Sequence, residues 1–292
     1  MKLVRMRTTE GPVTGRVDGP VVHELSTGLD ELVRGAVPTD TGRSFELDPV
    51  ALVAPVPEGC RGLLCTGINY LSHQEESAAE FSATVPQAPI FFFKTVSAVA
   101  DPVGDLTLST SVSSQFDWEV ELGVVIGTGG RDIAPEDAAA HVFGYTVVND
   151  ITARDLQKRH QQWLLGKNVD GSTPVGPWIV TADEFGYPPS VGLSLRVNGA
   201  EKQSSDTTLM IFDIAEQIAT ISRSMALLPG DIISTGTPSG VGFTREPAEI
   251  LRDGDVVEAE VEGVGILRNR IRTGTRSAVG APSARVVQGA GS

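Results

Sequence analysis

FDWEVELGVVIG, residues 116–127, reads as a β-strand and decides the fold. Trp118, Val120, Leu122, Val124 and Ile126 are apolar at every second position, and alternate side chains of a strand share a face. The opposite face opens with Asp117, Glu119 and Glu121, each roughly 7 Å from the next. Carboxylates in a row repel one another and are costly to bury unpaired. A positive partner is therefore expected there. A hard divalent cation such as Mg²⁺, Mn²⁺ or Ca²⁺ is the simplest, because such ions take oxygen ligands.

The whole chain narrows the classes. Its 292 residues suffice for one large domain, or one large and one small. With 40% hydrophobic and 21% charged residues, a packed core is expected. The formal net charge of −14 disfavours nucleic acid or an anionic membrane as partner. It also means that an anionic substrate needs local help from a metal, Lys or Arg. Cys60 and Cys65 flank an apolar stretch and read as small core residues, not as a disulfide framework or zinc pattern. The four histidines are scattered, which weighs against a multi-His metal site. No signal peptide and no apolar run of about 18 residues is visible, so a cytoplasmic protein is expected.

Residues 1–56 alternate short β-like runs with turns and one short helix, TGLDELVRGAV, for which Thr27 is the expected cap. They read as a small N-terminal domain. RGLLCTGINY and PIFFFKTVSAVA are two apolar strands around a polar segment, LSHQEESAAEFSATVPQAP, closed by Pro86 and Pro89. In it His73 and Glu76 lie three apart, neighbours on a helical turn, although a solvated surface helix would look the same. FGYTVVND is a strand ending on Asp150, and the spacing predicts a helix from there through Lys167. Asp150, Arg154 and Gln157 would project from one face, either as a site or as a plain polar face with an N-cap aspartate. LSLRVNGAEKQ is a hairpin turning at Asn198-Gly199. Ile211, Ile214, Ile218, Ile221 and Met225 form the stripe of an amphipathic core helix. DIISTGTPSGVGF runs from a strand into a Gly/Thr/Ser loop whose amides can face an anion. Residues 273–292 lack a pattern and are expected to be disordered. Strands outnumber helices, which argues an α+β, mostly β fold and not a doubly wound sheet.

Residues 61–270 resemble the fumarylacetoacetate hydrolase family. The pieces that carry the resemblance are TGINYLSHQEE, PIFFFKTVSAV, FDWEVELGVVIG, GYTVVNDITARDLQ, QWLLGKNVDGSTPVGPW, VNGAEKQ, LPGDIISTGTPSGVG and DGDVVEAEVEGVGILRN, in order. The resemblance implies a mixed β-sandwich roll around a divalent metal, with residues 57–272 as catalytic domain, and a homodimer. It implies Glu119, Glu121 and Asp150 as metal ligands, leaving Asp117 as a supporting or surface acid. It implies His73 and Glu76 as a catalytic pair in a lid spanning 72–89, and Lys167 as an active-site lysine. Arg154, Gln157 and Thr237 become substrate contacts.

The function so implied is hydrolysis of a carbon–carbon bond in a 2,4-dioxo, acylpyruvate-like acid, dependent on Mg²⁺ or Mn²⁺, with Ca²⁺ a substitute in crystals. Glu76 would orient His73, His73 would activate water, and Lys167 would stabilise the oxyanion. The same site also suits a decarboxylase or isomerase of oxaloacetate or of 2-hydroxyhepta-2,4-diene-1,7-dioate-type diacids. A non-catalytic member that binds a metal or 2-oxo acid is a reading of another class. A Ca²⁺-stabilised β-protein unrelated to the family would explain the acidic strand but not His73, Lys167 and Arg154.

Overall fold

A computed structural model of the chain describes residues 1–78 and 84–274. The middle of the expected lid, and the tail beyond Gly274, lie outside the described residues. Residues 273 and 274 still belong to the strand Gly265–Gly274.

Two sheets pack face to face. The larger has twelve strands. Along its path Lys2–Thr8 pairs with Thr173–Thr181, followed by Val142–Asn149, Val120–Ile126, Ile232–Ser234, Leu63–Gly67 and, at the edge, Ile90–Lys94. The first strands of the chain thus extend the same sheet that carries the acidic stretch. The second sheet has five strands, from Ala200–Asp206 through Gly192–Val197, Val256–Val261 and Gly265–Gly274 to Val103–Ser109. The architecture is the mostly-β one expected. Among the described residues the longest helix is Ile214–Ser224, and no helix is long and apolar enough to cross a membrane.

The strand Val120–Ile126 is buried on both faces. Trp118, Val120, Leu122, Val124 and Ile126 all enter the core between the sheets, against Leu195, Ala259 and Leu267. Val125 points the other way, into a second core with Leu63, Val148, Ile179 and the helix residue Leu32. Burial on both faces leaves no solvated side for the acids, so they cluster at the strand's N-terminal end. The alternation is not one unbroken strand, because Phe116–Asp117 pairs separately with Thr152–Ala153.

Three local expectations are corrected. Residues 150–167 are not one helix: Asp150 and Ile151 precede the short strand Thr152–Ala153, and helices form only at Arg154–Arg159 and Leu164–Lys167. Pairing of Thr152 with Asp117 pulls this backbone out of helical shape. The cap at residues 27–31 is Gly28, whose amide donates to the Glu31 carboxylate at 2.8 Å, while Thr27 bonds Val37. Ile211 lies ahead of the helix, whose N-cap is Asp213.

Candidate metal centre and active site

The acids converge because their strands end together. Val120 pairs with Asn149, so Glu119 and Asp150 continue side by side, and the Asp150 amide donates to Glu119 O at 2.8 Å. Glu121 lies two residues on along the same strand. Glu119, Glu121 and Asp150 are buried, with one oxygen of each within 4.8 Å of the others, and so form a triad able to hold a divalent metal.

Three cations surround them. Lys167 Nζ donates to Glu119 Oε2 and Asp150 Oδ2, both at 2.7 Å. Lys94 Nζ donates to Asp150 Oδ1 and, at 3.2 Å, to Ile151 O. Arg154 Nε donates to Asp117 Oδ2 at 3.0 Å, and its Nη2 stands 2.7 Å from Glu119 Oε1, an ion pair without hydrogen-bond alignment. Asp117, with no solvent exposure, is no surface acid: it also accepts from the amides of Trp118, Gly242 and Phe243.

The electrostatics fit a divalent cation. Asp117, Glu119, Glu121 and Asp150 face Lys94, Arg154 and Lys167, so the fully ionised centre carries one negative charge in excess. A divalent cation turns that into one positive, which suits an anionic ligand. Burial would raise Glu119, but Lys167 and Arg154 hold it well below the usual carboxylate range. Burial works against the Lys167 ammonium too, and Asp150 with Glu119 raises it above the usual lysine value. Glu121 is the exception: burial, with Asp150 and Glu119 beside it, pushes it up to about 8. It accepts from Ser234 Oγ at 2.5 Å and the Gly236 amide at 3.0 Å, yet the local field still opposes its charge. A cation bound by the triad relieves that field. The donor set, oxygen only, suits a hard ion.

A cavity opens on the centre, lined among others by His73, Glu119, Glu121, Arg154, Gln157, Lys167 and Thr237. His73 lies in the helix Leu71–Ser77, with Nδ1 2.8 Å from Glu76 Oε1. A carboxylate at Nδ1 selects the tautomer protonated there and leaves Nε2 to exchange protons. Glu76 is fixed from behind, Oε2 accepting from the Gly240 amide at 2.9 Å and Thr244 Oγ1 at 3.2 Å. The Gly/Thr/Ser loop after Ile232–Ser234 does present amides to anions, but to the protein's own: Gly236 to Glu121, Gly240 to Glu76, and Gly242 with Phe243 to Asp117. Arg154 and Gln157 join through Nη1 and Oε1 at 2.9 Å, and the guanidinium lies 4.2 Å from the Phe243 ring centroid. Thr237 Oγ1 donates to Val120 O at 2.9 Å and accepts from Gln203 Nε2 at 2.8 Å.

All nine residues named from the sequence therefore gather at one place, with Glu76 behind His73 and Asp150 behind the cavity wall. Three further ones were not legible as site residues. Lys94 stands near the middle of the apolar run PIFFFKTVSAVA, with nothing in the sequence to mark it, and the structure ends the strand Ile90–Lys94 on it. Asn149 accepts from the Glu119 amide at 3.1 Å. Gln203 belongs to the other sheet, where it accepts from the Val120 amide at 2.9 Å. Only pairing across the fold gives these residues their neighbours.

Residues 62–272 match the family model described as fumarylacetoacetate (FAA) hydrolase C-terminal, and residues 1–55 match one described as Rv2993c-like, N-terminal. Oxaloacetate tautomerase YisK of Bacillus subtilis (strain 168) is 45% identical over 228 residues, 78% of this chain and 75% of that protein. Among solved structures, fumarylacetoacetate hydrolase from Exiguobacterium antarcticum superposes with a TM-score of 0.83 at 37% identity, covering 94% of this chain and 100% of that one. A structure titled 2-hydroxyhepta-2,4-diene-1,7-dioate isomerase from Mycobacterium marinum superposes with a TM-score of 0.79 at 33% identity, with the same coverage. The chain is thus similar both to proteins named as tautomerase or isomerase and to one named as hydrolase.

Proposed function

This chain belongs to the fumarylacetoacetate hydrolase family, and from that premise we propose that it is a divalent-cation-dependent tautomerase of oxaloacetate or a closely similar 2-oxo diacid. The observation that carries the reading is the 45% identity to the Bacillus subtilis oxaloacetate tautomerase. The hydrolytic expectation yields to its isomerase alternative.

Glu119, Glu121 and Asp150 would hold the cation, Mg²⁺ or Mn²⁺ by their oxygen donors. When bound, that cation supplies Lewis acidity that polarises the 2-oxo group. Tautomerisation moves one proton between C3 and the oxygen on C2; no carbon–carbon bond breaks and no water is consumed. His73 Nε2 takes the proton from C3. The electron pair of that C–H bond becomes the C2–C3 double bond, and negative charge gathers on the C2 oxygen. Glu76 keeps His73 in the right tautomer and stabilises the imidazolium. Lys167, bordering the cavity, sets a fixed positive charge against the developing oxyanion. The proton then passes from His73 to that oxygen, and the cycle runs backwards equally well. Arg154 and the Gln157 amide group receive a substrate carboxylate at the cavity wall, which Thr237 completes.

The test is to follow the ultraviolet absorbance of enol-oxaloacetate with the protein, with added Mg²⁺ or EDTA, and to assay pyruvate in parallel. Cation-dependent loss of the enol without pyruvate is expected. Stoichiometric pyruvate and CO₂ would make it a decarboxylase. Cleavage of an acylpyruvate, with the enol untouched, would restore the hydrolase.

A further inference from the structure

Lys94 is completely buried, as is Asp150, and neither resemblance nor spacing gave it a part. A buried ammonium is costly, so its partners need an explanation. It has two. Its Nζ binds Asp150 Oδ1 and also Ile151 O, so it grips the acid and the backbone that follows it. Asp150 stands one residue beyond the end of its strand; its amide is bonded to Glu119 O, but its carboxylate depends on side-chain partners. The second oxygen, Oδ2, faces Lys167 Nζ, which it shares with Glu119.

Lys94 is itself held. It closes the strand Ile90–Lys94 at the sheet edge, opposite Leu63. On the side away from Leu63, the Asn168 side chain takes the place of a neighbouring strand. Its Oδ1 accepts from the Thr95 amide at 2.6 Å, and its Nδ2 donates to Phe93 O at 2.8 Å. Asn168 thus clamps the backbone on both flanks of Lys94, and it directly follows Lys167. One amide ties together the two segments that deliver the two lysines to the two oxygens of Asp150.

We propose that Lys94 is a positioning residue for the cation site: braced by Asn168, it pins Asp150 Oδ1 so that Oδ2 is presented toward Glu119 and Glu121. This rests on the reading of Glu119, Glu121 and Asp150 as cation ligands, but not on which reaction follows. Charge alone argues the opposite effect. Removing an ammonium beside a cation site lowers repulsion, so without a positioning role its loss should tighten cation binding. The sign of the change separates the two.

The experiment is a Mn²⁺ titration of the full chain by calorimetry, with the Mn²⁺ electron paramagnetic resonance spectrum as second readout and no substrate present. Lys94→Met is expected to weaken Mn²⁺ binding about 10- to 100-fold, as loss of a partner of a metal-ligating group does, and to broaden the bound-ion spectrum. Asn168→Ala, at a half-buried position, is expected to weaken binding a few-fold in the same direction. It decides the matter should Lys94→Met not fold. Unchanged or tighter binding in a folded variant of either kind would overturn the proposal. If the wild-type chain bound no Mn²⁺, the proposal would fall together with the cation site. Failure of oxaloacetate tautomerisation alone would leave this titration untouched.

Discussion

At the scale of single residues, Glu121 is the most exposed to a change of conditions. Its carboxyl is pushed from an ordinary 4.5 up to about 8 by burial and by Asp150 and Glu119. A group whose pKa rises on folding binds a proton more tightly in the folded chain. Its stabilising contribution is full below about 4.5 and is lost as pH climbs toward about 8. Glu119, shifted the other way, contributes its stability above the unfolded carboxylate range and changes little in that window. The metal-free protein should therefore lose stability from pH 5.5 to 8, and added Mg²⁺ should raise Tm more at pH 8 than at pH 6 (about 2–4 °C for each kcal/mol in large domains). Glu121→Gln should raise the metal-free Tm at pH 8 and abolish the Mg²⁺ increment. Scanning calorimetry at the two pH values checks both, and an equal increment at both would contradict the assignment. The role of Glu121 as an acid was legible from alternation, because period two places it with Glu119. Its shifted titration was not, because it depends on Asp150, 29 positions away in the chain.

At the scale of elements, the loop after Ile232–Ser234 does more than its composition announced. GTPSG is also an ordinary turn, and only the fold reveals that the amides of Gly236 and Gly240 are aimed at Glu121 and Glu76, and that of Gly242 just beyond at Asp117. Gly240 is the tightest point. Its φ is +102°, and a Cβ there would stand 2.0 Å from the Lys202 carbonyl oxygen. Gly240→Ala is expected to cost about 1–3 kcal/mol from backbone strain. Because the Gly240 amide anchors Glu76, turnover should fall further than stability does, with KM less affected than kcat. Urea unfolding beside steady-state kinetics reads the two separately. The segment 150–167 teaches the converse. Its polar spacing was right about which residues meet, since Arg154 and Gln157 do join at 2.9 Å. They meet without a single continuous helix, because strand pairing between Asp117 and Thr152 outweighs helical propensity over so short a stretch.

At the scale of the whole molecule, the larger sheet and the loops at its strand ends build the site, and the smaller sheet braces it from behind. Gln203 crosses from the smaller sheet to bond the Val120 amide and Thr237. Strand type and core faces were readable, since burial imposes a period on sequence; such cross-sheet bonds were not, since a polar residue on a hairpin has many ordinary uses. The net charge of −14 also acts at this scale. A dianionic substrate is repelled by the molecule as a whole, and without the cation the acids of the centre offset Arg154 and Lys167, so catalysis should follow the cation. The direct measurement is the enol-to-keto rate of oxaloacetate along a Mg²⁺ titration, with site occupancy determined by calorimetry under the same conditions. The rate should rise in proportion to occupancy and disappear in Glu119→Gln. A full rate in the metal-free protein, or in that variant, would contradict the cation-dependent proton shift.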